Sequence, residues 1–335
     1  MIKIGIIGIG KIGSLHLEKF LDSPYYKVIG CYDADFEKLQ RVTSEYAVKP
    51  FTNVDELIHL CDAVAILSSA ESHFFYAEKC IKFGKHVFID KPMSKQIDEA
   101  KRLVELIKEA GIKFQIGHSE RFNPAFLAIQ HLDIQPMFIE SHRLLPFDKH
   151  RTTESIIFDD MLHDIDIVLS VVKANIRSIN ASGVSVLSDQ IDIANARIEF
   201  DNGCVANLTA GRTSIQKMRK MQFFQKDHQI SLDFFRREAE VLQLSEIAGQ
   251  NSIPLRNEND TKYLNNEMLV PEEYDALKIE LNSFAECLIF NSEPKITASD
   301  GLKCTEVANE ILLKINKLNG NNSSITPLVA KEVIY

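Results

Sequence analysis

Long apolar runs are missing from this sequence. None reaches the roughly 18 residues that would cross a membrane. The apolar start, Met1–Gly8, is short, has no small-residue cleavage site and runs straight into a glycine motif, so it does not read as a signal peptide. Basic residues are in deficit, with 38 Lys and Arg against 47 Asp and Glu and a formal net charge of −9. That balance argues against a general nucleic-acid or polyanion binder and leaves room for a local basic pocket. The six cysteines, Cys31, Cys61, Cys80, Cys204, Cys287 and Cys304, include no Cys-x-x-Cys pair, and several lie in apolar runs. They read as small buried residues in a reducing cytoplasm. There is no internal repeat and no low-complexity tract. A soluble cytoplasmic protein is the expectation.

What is present is ordinary globular material, 45% hydrophobic and 25% charged over 335 residues. That length suggests two domains. Through about residue 130, short β-branched runs alternate with longer helical patterns. Strands are expected at Ile2–Ile7, Lys27–Tyr32, Ala63–Leu67, Val87–Ile89 and Lys113–Ile116. Helices are expected at Lys11–Leu21, Phe36–Tyr46, Ser72–Phe83 and Ile97–Glu109. Such alternation predicts a doubly wound parallel sheet with helices on both faces, an α/β fold.

Beyond about residue 135 the pattern becomes strand-rich: Met137–Arg143, Ser178–Val186, Ile191–Phe200, Cys204–Ala210, Met218–Phe224, Gln229–Phe235 and Glu240–Leu244. A helix is expected near Asp159–Val172. Asp201-Asn202-Gly203 is a strong hairpin signal. Gly249–Asn266 is polar and reads as loop, and two helices, Pro271–Asn291 and Ser299–Asn319, close the chain. The expected division is a dinucleotide-binding Rossmann domain at residues 1–125 and a substrate-binding or oligomerisation domain at 126–335. The latter is α+β with a mostly antiparallel open sheet, and the last helices are free to pack back on the first domain.

Gly8-Ile9-Gly10-Lys11-Ile12-Gly13 follows a strand and opens a helix. Gly8 permits the tight turn, Gly10 allows a pyrophosphate to approach the backbone, and Gly13 lets the helix pack on the strand. The helix start at Lys11 and Ile12 supplies amide donors and a positive dipole end. A plain glycine-rich turn is the alternative. Asp33 stands twenty positions after Gly13, at the end of the second strand. A carboxylate there accepts from ribose hydroxyls and repels a 2′-phosphate, and Ala34 offers no compensating Arg. NAD is therefore preferred over NADP. The alternative role, capping the next helix, suits Asp35 better.

Two further segments concentrate functional groups. Asp90-Lys91-Pro92 directly follows a strand, where ligands of such sheets bind. Pro92 restricts Lys91 to extended geometry. In isolation Lys91 also reads as a surface lysine in a turn. Within Asp159-Asp160-Met161-Leu162-His163-Asp164-Ile165-Asp166, a helix would put Asp159, His163 and Asp166 on one face. Asp159 would then fix the tautomer of His163. An acidic first helical turn is the blander alternative. Metal ligation is disfavoured, because no further His or Cys joins at a recognisable spacing.

Together, Gly8–Gly13, Asp33, Asp90-Lys91-Pro92 and Asp159…His163…Asp166 resemble the Gfo/Idh/MocA oxidoreductases over essentially the whole chain. The resemblance implies that Lys91 matches the catalytic lysine of a Glu-Lys-Pro motif, with Asp90 in place of Glu. It also implies that Asp159 and His163 match an Asp-x-x-x-His acid/base pair. The family's Thr-Pro-Asn-x-x-His appears as Ser68-Ser69-Ala70-Glu71-Ser72-His73, so only Ser68 and His73 carry over as cofactor contacts.

More narrowly, Gly117–Pro124, His142-Arg143, Met161–Asp166, Asn195–Arg197 and Asn207–Ala210 resemble the branch that oxidises the 3-hydroxyl of UDP-N-acetylglucosamine. That implies NAD and a sugar or nucleotide-sugar substrate, with Arg121, Asn123 and Arg143 as substrate-binding residues. Arg121, Arg143, Arg212, Lys217, Arg219 and Lys220 are the cations available for a diphosphate. Two rivals share the fold: NAD-dependent glycosidases and non-catalytic sugar or dinucleotide sensors. An exposed sheet face would call for a homodimer or homotetramer.

Overall fold

The computed structural model describes residues 1–149, 155–249, 252–257, 260–269 and 274–321, and among them two sheets organise the chain. The first has five strands: β1 (Ile2–Ile7), β2 (Tyr26–Tyr32), β3 (Ala63–Ile66), β4 (His86–Asp90) and β5 (Phe114–Gly117). All pair in parallel, in the order β2-β1-β3-β4-β5. Every residue of β3 and β5 is buried, which is why these strands read as unbroken apolar runs. The order reverses between β1 and β3, and that reversal opens a crevice at the carboxyl ends of the strands.

The connecting helices are α1 (Lys11–Asp22), α2 (Phe36–Glu45), α3 (Val54–Leu60), α4 (Ala70–Lys82) and α5 (Ile97–Ala110). The short α3, capped by Asn53, went unpredicted. Apolar clusters cover both faces of the sheet. One includes Leu57, Val64, Ile66, Leu103 and Ile116. The other joins Ile4, Ile6, Leu17, Phe20 and Phe88 to Leu281 and Phe284 of a late helix, α8 (Ala276–Ile289). The chain's end thus packs back on its beginning.

A 3-10 turn at Ser119–Phe122 and the short α6 (Pro124–Ala128) lead to the second sheet. Its strands are β6 (Phe138–Leu144), β7 (Ile176–Val184), β8 (Ile193–Phe200), β9 (Val205–Gly211), β10 (Met218–Gln225), β11 (His228–Asp233), β12 (Glu238–Ser245), β13 (Ser252–Asn257) and β14 (Asp260–Leu269). Their order is β13-β14-β12-β11-β10-β6-β9-β8-β7. Only β6 and β9 pair in parallel. The hairpin expected at Asp201-Asn202-Gly203 joins β8 to β9, with Gly203 at φ +87°.

The loop reading of Gly249–Asn266 is overturned, because β13 and β14 form an antiparallel hairpin that extends the sheet. The hairpin lies at the sheet edge, where Leu269 alone among its described side chains packs against the core. At 252–255 and 261–269 its side chains are exposed or half-buried on both faces, so no alternation of polar and apolar side chains betrays it.

One face of this sheet is covered by α6, a π-helical turn at Ile157–Met161, α7 (Leu162–Val171) and α9 (Ala298–Asn321). Among the described residues no helix is long and apolar enough to cross a membrane. All six cysteines are buried thiols.

Candidate functional site

The glycine loop is built as its spacing demands. Gly8 has φ +88°, and a Cβ on it would stand 2.5 Å from the Ser68 backbone. A Cβ on Gly13 would collide with the Gly8 carbonyl oxygen. A Cβ on Gly10 would meet nothing within 4 Å, so this residue faces open space where an anion can approach the backbone. The α1 N-terminus has no side-chain cap, and its amides point into the same space. Lys11 and Ile12 turn their side chains outward and offer this space only their N–H groups.

Asp33 closes one side of the loop. Its Oδ2 accepts from the Ile9 N–H at 2.9 Å and its Oδ1 from the Asp35 N–H at 2.9 Å. Lys38 Nζ stands 3.6 Å away. Asp35, not Asp33, caps α2. The glycine cradle and Asp33 together fit a dinucleotide. Ser68 and His73 brace it. Ser72 Oγ donates to Ser68 Oγ at 2.7 Å. The buried His73 ring spans the Pro92 carbonyl at 2.8 Å and the Ser68 carbonyl at 3.0 Å, tying the β3 loop to the β4 loop.

The chemical centre joins the two sheets. Lys91 sits at the carboxyl end of β4, before a cis bond to Pro92. Its Nζ donates to the Asp159 carbonyl oxygen at 2.6 Å and lies 3.5 Å from Asp159 Oδ1. His163 is the second residue of α7, two beyond the end of the π-turn. Its Nδ1 is buried without a hydrogen-bond partner. Burial, followed by the charges of Lys91, Arg143, His118 and Arg219, holds the imidazole well below its usual pKa range. The ring is therefore neutral near pH 7 and able to accept a proton.

Asp159 is placed against Lys91, and His163 Nδ1 has no hydrogen-bond partner, so Asp159 does not fix the imidazole through that nitrogen. The cause is the π-turn, which widens the helix and breaks the assumed i, i+4, i+7 alignment. Asp166 is also placed elsewhere: Arg121 clamps it with two bonds of 2.7 Å.

The three residues expected to bind substrate are engaged internally. Arg143, 2% exposed, donates to Asp164 at 2.8 Å and to Glu120 at 3.0 Å. Asn123 donates to Glu120 and to the Phe234 carbonyl, while its Oδ1 caps α6. Arg121 is held by Asp166. A buried guanidinium needs such carboxylates to offset its lost hydration. Arg212 is likewise buried against Asp192 at 3.0 Å.

Two groups went unassigned in the sequence. His118 is buried, with Nδ1 unpartnered and 3.9 Å from Asp166 Oδ2. With Cys304 it forms a trio around Asp166 of ligand-type groups. Arg121 already neutralises that carboxylate, and burial pushes the Cys304 thiol well above its usual pKa range, so the trio suits hydrogen bonding better than a cation. Glu280 of α8 is 1% exposed with Oε1 unpartnered. Burial, then the Asp90 charge, drives its carboxyl pKa well up, which favours the neutral form. Its signal was there to read: an acid among Leu277, Leu281 and Phe284 on the inward stripe of α8. A separate groove of about 1370 Å³, lined by Phe126, Leu132, Val172, Ile279 and Lys295 among others, includes neither Lys91 nor His163.

Comparison with known proteins agrees with this geometry. Residues 2–118 match the family model described as an oxidoreductase family with an NAD-binding Rossmann fold. UDP-N-acetylglucosamine 3-dehydrogenase of Acidithiobacillus ferrooxidans is 32% identical over 233 residues, covering 69% of this chain and 74% of that protein. A solved structure of that dehydrogenase superposes with a TM-score of 0.86 at 27% identity, covering 94% of this chain and 98% of the other. The NAD⁺-dependent scyllo-inositol 2-dehydrogenase of Bacillus subtilis is 26% identical, covering 64% of this chain and 68% of that one.

Proposed function

The chain belongs to the Gfo/Idh/MocA oxidoreductase family, and from that premise we propose that it oxidises a secondary hydroxyl of a sugar with NAD. The substrate class we assign is a UDP-linked N-acetylhexosamine, oxidised at its 3-hydroxyl. The observation that carries the chemistry is the meeting of Lys91, fixed at 2.6 Å to the Asp159 carbonyl, with a neutral His163 at the carboxyl edge of the parallel sheet. The relative named for the UDP-sugar reaction supports the substrate class.

NAD, when bound, supplies the hydride acceptor. The protein's own groups do the rest. Asp33 accepts from the adenosine ribose hydroxyls and disfavours a 2′-phosphate, so NAD is preferred over NADP. The free face of Gly10 and the α1 amides take the pyrophosphate. His163 takes the hydroxyl proton as the carbon–hydrogen bond breaks. Such a positioned base contributes about 10²–10⁴-fold. The Lys91 ammonium stabilises the developing alkoxide charge in a partly dry site. Asp159 holds Lys91 in place through its carbonyl.

The test is a screen of UDP-N-acetylglucosamine, N-acetylglucosamine and inositols with NAD⁺ and NADP⁺, read by absorbance of the reduced cofactor. The expected result is reduced NAD⁺ with the UDP-sugar and far less with the others. Turnover of a neutral polyol with the UDP-sugar inert would overturn the substrate class. Turnover without net cofactor reduction would replace a dehydrogenase by a glycosidase.

A further inference from the structure

The sequence offers six cations to a substrate anion, and the structure separates them. Arg121, Arg143 and Arg212 are each held by a buried carboxylate. Lys220 stands 3.6 Å from Asp233 and is exposed. Lys217 is exposed in the loop before β10. Arg219 differs from all of them. It lies on the same face of β10 as Met221 and Phe223, which belong to the helix-covered core. It is directly opposite Arg143 of β6 in the register. Its Nε is buried and makes no hydrogen bond, yet the side chain is 38% exposed, so the head reaches open space.

Its nearest carboxylate does not satisfy it. Glu120 Oε1 is 3.6 Å from Arg219 Nη1, beyond a hydrogen bond, and already accepts from Arg143 at 3.0 Å. Glu120 Oε2 accepts from Asn123. The Arg219 charge is also among those that act on His163. The Arg219 Nε is a buried donor without a hydrogen bond, and leaving such a donor unpaired is costly unless a ligand pairs with it.

Resting on the substrate reading above, we infer that Arg219 is the anion-binding residue of the substrate pocket, donating to a phosphate oxygen of a nucleoside diphosphate whose sugar lies at Lys91 and His163. A guanidinium can do this with two parallel bonds, which an ammonium cannot. Anchoring the remote diphosphate orients the reacting carbon, so the anchor contributes to turnover as well as affinity. It also makes Arg219 the residue that discriminates a charged sugar nucleotide from a neutral sugar.

The experiment measures UDP binding by calorimetry to the full chain with NAD⁺ present, in the wild type, R219Q and R219K. It also measures oxidation of UDP-N-acetylglucosamine and of N-acetylglucosamine. The expected result is UDP affinity lower by at least about tenfold in R219Q, the scale of a lost charge-assisted bond. R219K should fall between, since it keeps the charge and loses the fork. The salt dependence of UDP binding should flatten in R219Q. NAD⁺ affinity should hold, which a general loss of structure would not allow.

Wild-type UDP affinity in R219Q overturns the assignment while UDP-sugar turnover keeps the substrate reading. If the wild type binds no UDP and oxidises only the neutral sugar, that reading falls, and this inference with it. Should R219Q fail to bind NAD⁺, R219K decides: wild-type UDP affinity there overturns the two-bond recognition.

Discussion

Lys91 and Asp159, 68 residues apart in the chain, meet through a 2.6 Å hydrogen bond from the lysine ammonium to the aspartate's backbone carbonyl. The bond crosses from the end of β4 to the π-turn that launches α7. It therefore sets the lysine of one sheet against the histidine mounted on the other. Because the acceptor is a carbonyl, the side chain of Asp159 contributes only through its more distant carboxylate, at 3.5 Å.

That distinction separates two variants. Lys91→Ala should lose turnover by about 100-fold or more while NAD⁺ binding survives. Asp159→Asn, which keeps the carbonyl, should lose clearly less. Steady-state kinetics with calorimetric NAD⁺ binding checks both. An Asp159→Asn loss equal to that of Lys91→Ala would show that the carboxylate, not the carbonyl, sets the lysine.

The pH profile follows from His163. Its pKa is depressed by burial and by neighbouring cations, so the neutral, proton-accepting form persists below the usual imidazole value of about 6.5. Activity limited by this base is full above its own depressed pKa and falls only as pH drops through it. The kcat/KM profile should stay flat down through about pH 6.5 and decline below it. A half-maximal point above that value would contradict the neutral imidazole.

Asp33→Ala should weaken NAD⁺ and narrow the discrimination against NADP⁺. Removing the acceptor of the ribose hydroxyls should cost roughly 1.5–3 kcal/mol, the range for hydrogen bonds to a charged group. The same carboxylate ties down the Ile9 N–H, so the loop itself should loosen. Calorimetry with each cofactor measures this, and unchanged NAD⁺ affinity would remove Asp33 from the site.

Glu280 makes a stability prediction of definite sign. Its carboxyl is pushed well above its ordinary pKa in the folded chain, so the unfolded chain releases that proton first as pH rises. The group therefore destabilises the fold progressively above about pH 4.5, its unfolded value. Glu280→Gln, neutral at every pH, should raise the melting temperature near pH 7, and the gain should shrink toward pH 4.5. A gain independent of pH would place its cause in packing instead.

How far the sequence disclosed all this depends on range. The strand-and-glycine entrance was legible because β1 is mostly apolar and buried from Ile4 to Ile7 and because Gly8 and Gly13 admit no Cβ. Lys91 and His163 were legible from their positions after a strand and within an acidic turn. Their relation to Asp159 was misjudged, because regular helical periodicity cannot foresee a π-turn. The internal pairing of Arg121 and Arg143 was not legible for another reason. Their partners, Asp166 and Asp164, are 45 and 21 residues away, and nothing local marks which cation will find a buried carboxylate. The β13–β14 hairpin escaped because an edge with no fully buried face has no amphipathic pattern to read.

The account's central claim is hydride removal from a sugar carbinol carbon at Lys91 and His163. The most direct measurement uses UDP-N-acetylglucosamine carrying deuterium at C3, incubated with NAD⁺ and the wild-type protein, with mass spectrometry of both products. The account predicts deuterium in the reduced cofactor in one-to-one proportion with a 3-keto sugar nucleotide, abolished by Lys91→Ala or His163→Ala. Deuterium retained on the sugar while the cofactor is reduced, or no reduction at all, would contradict it.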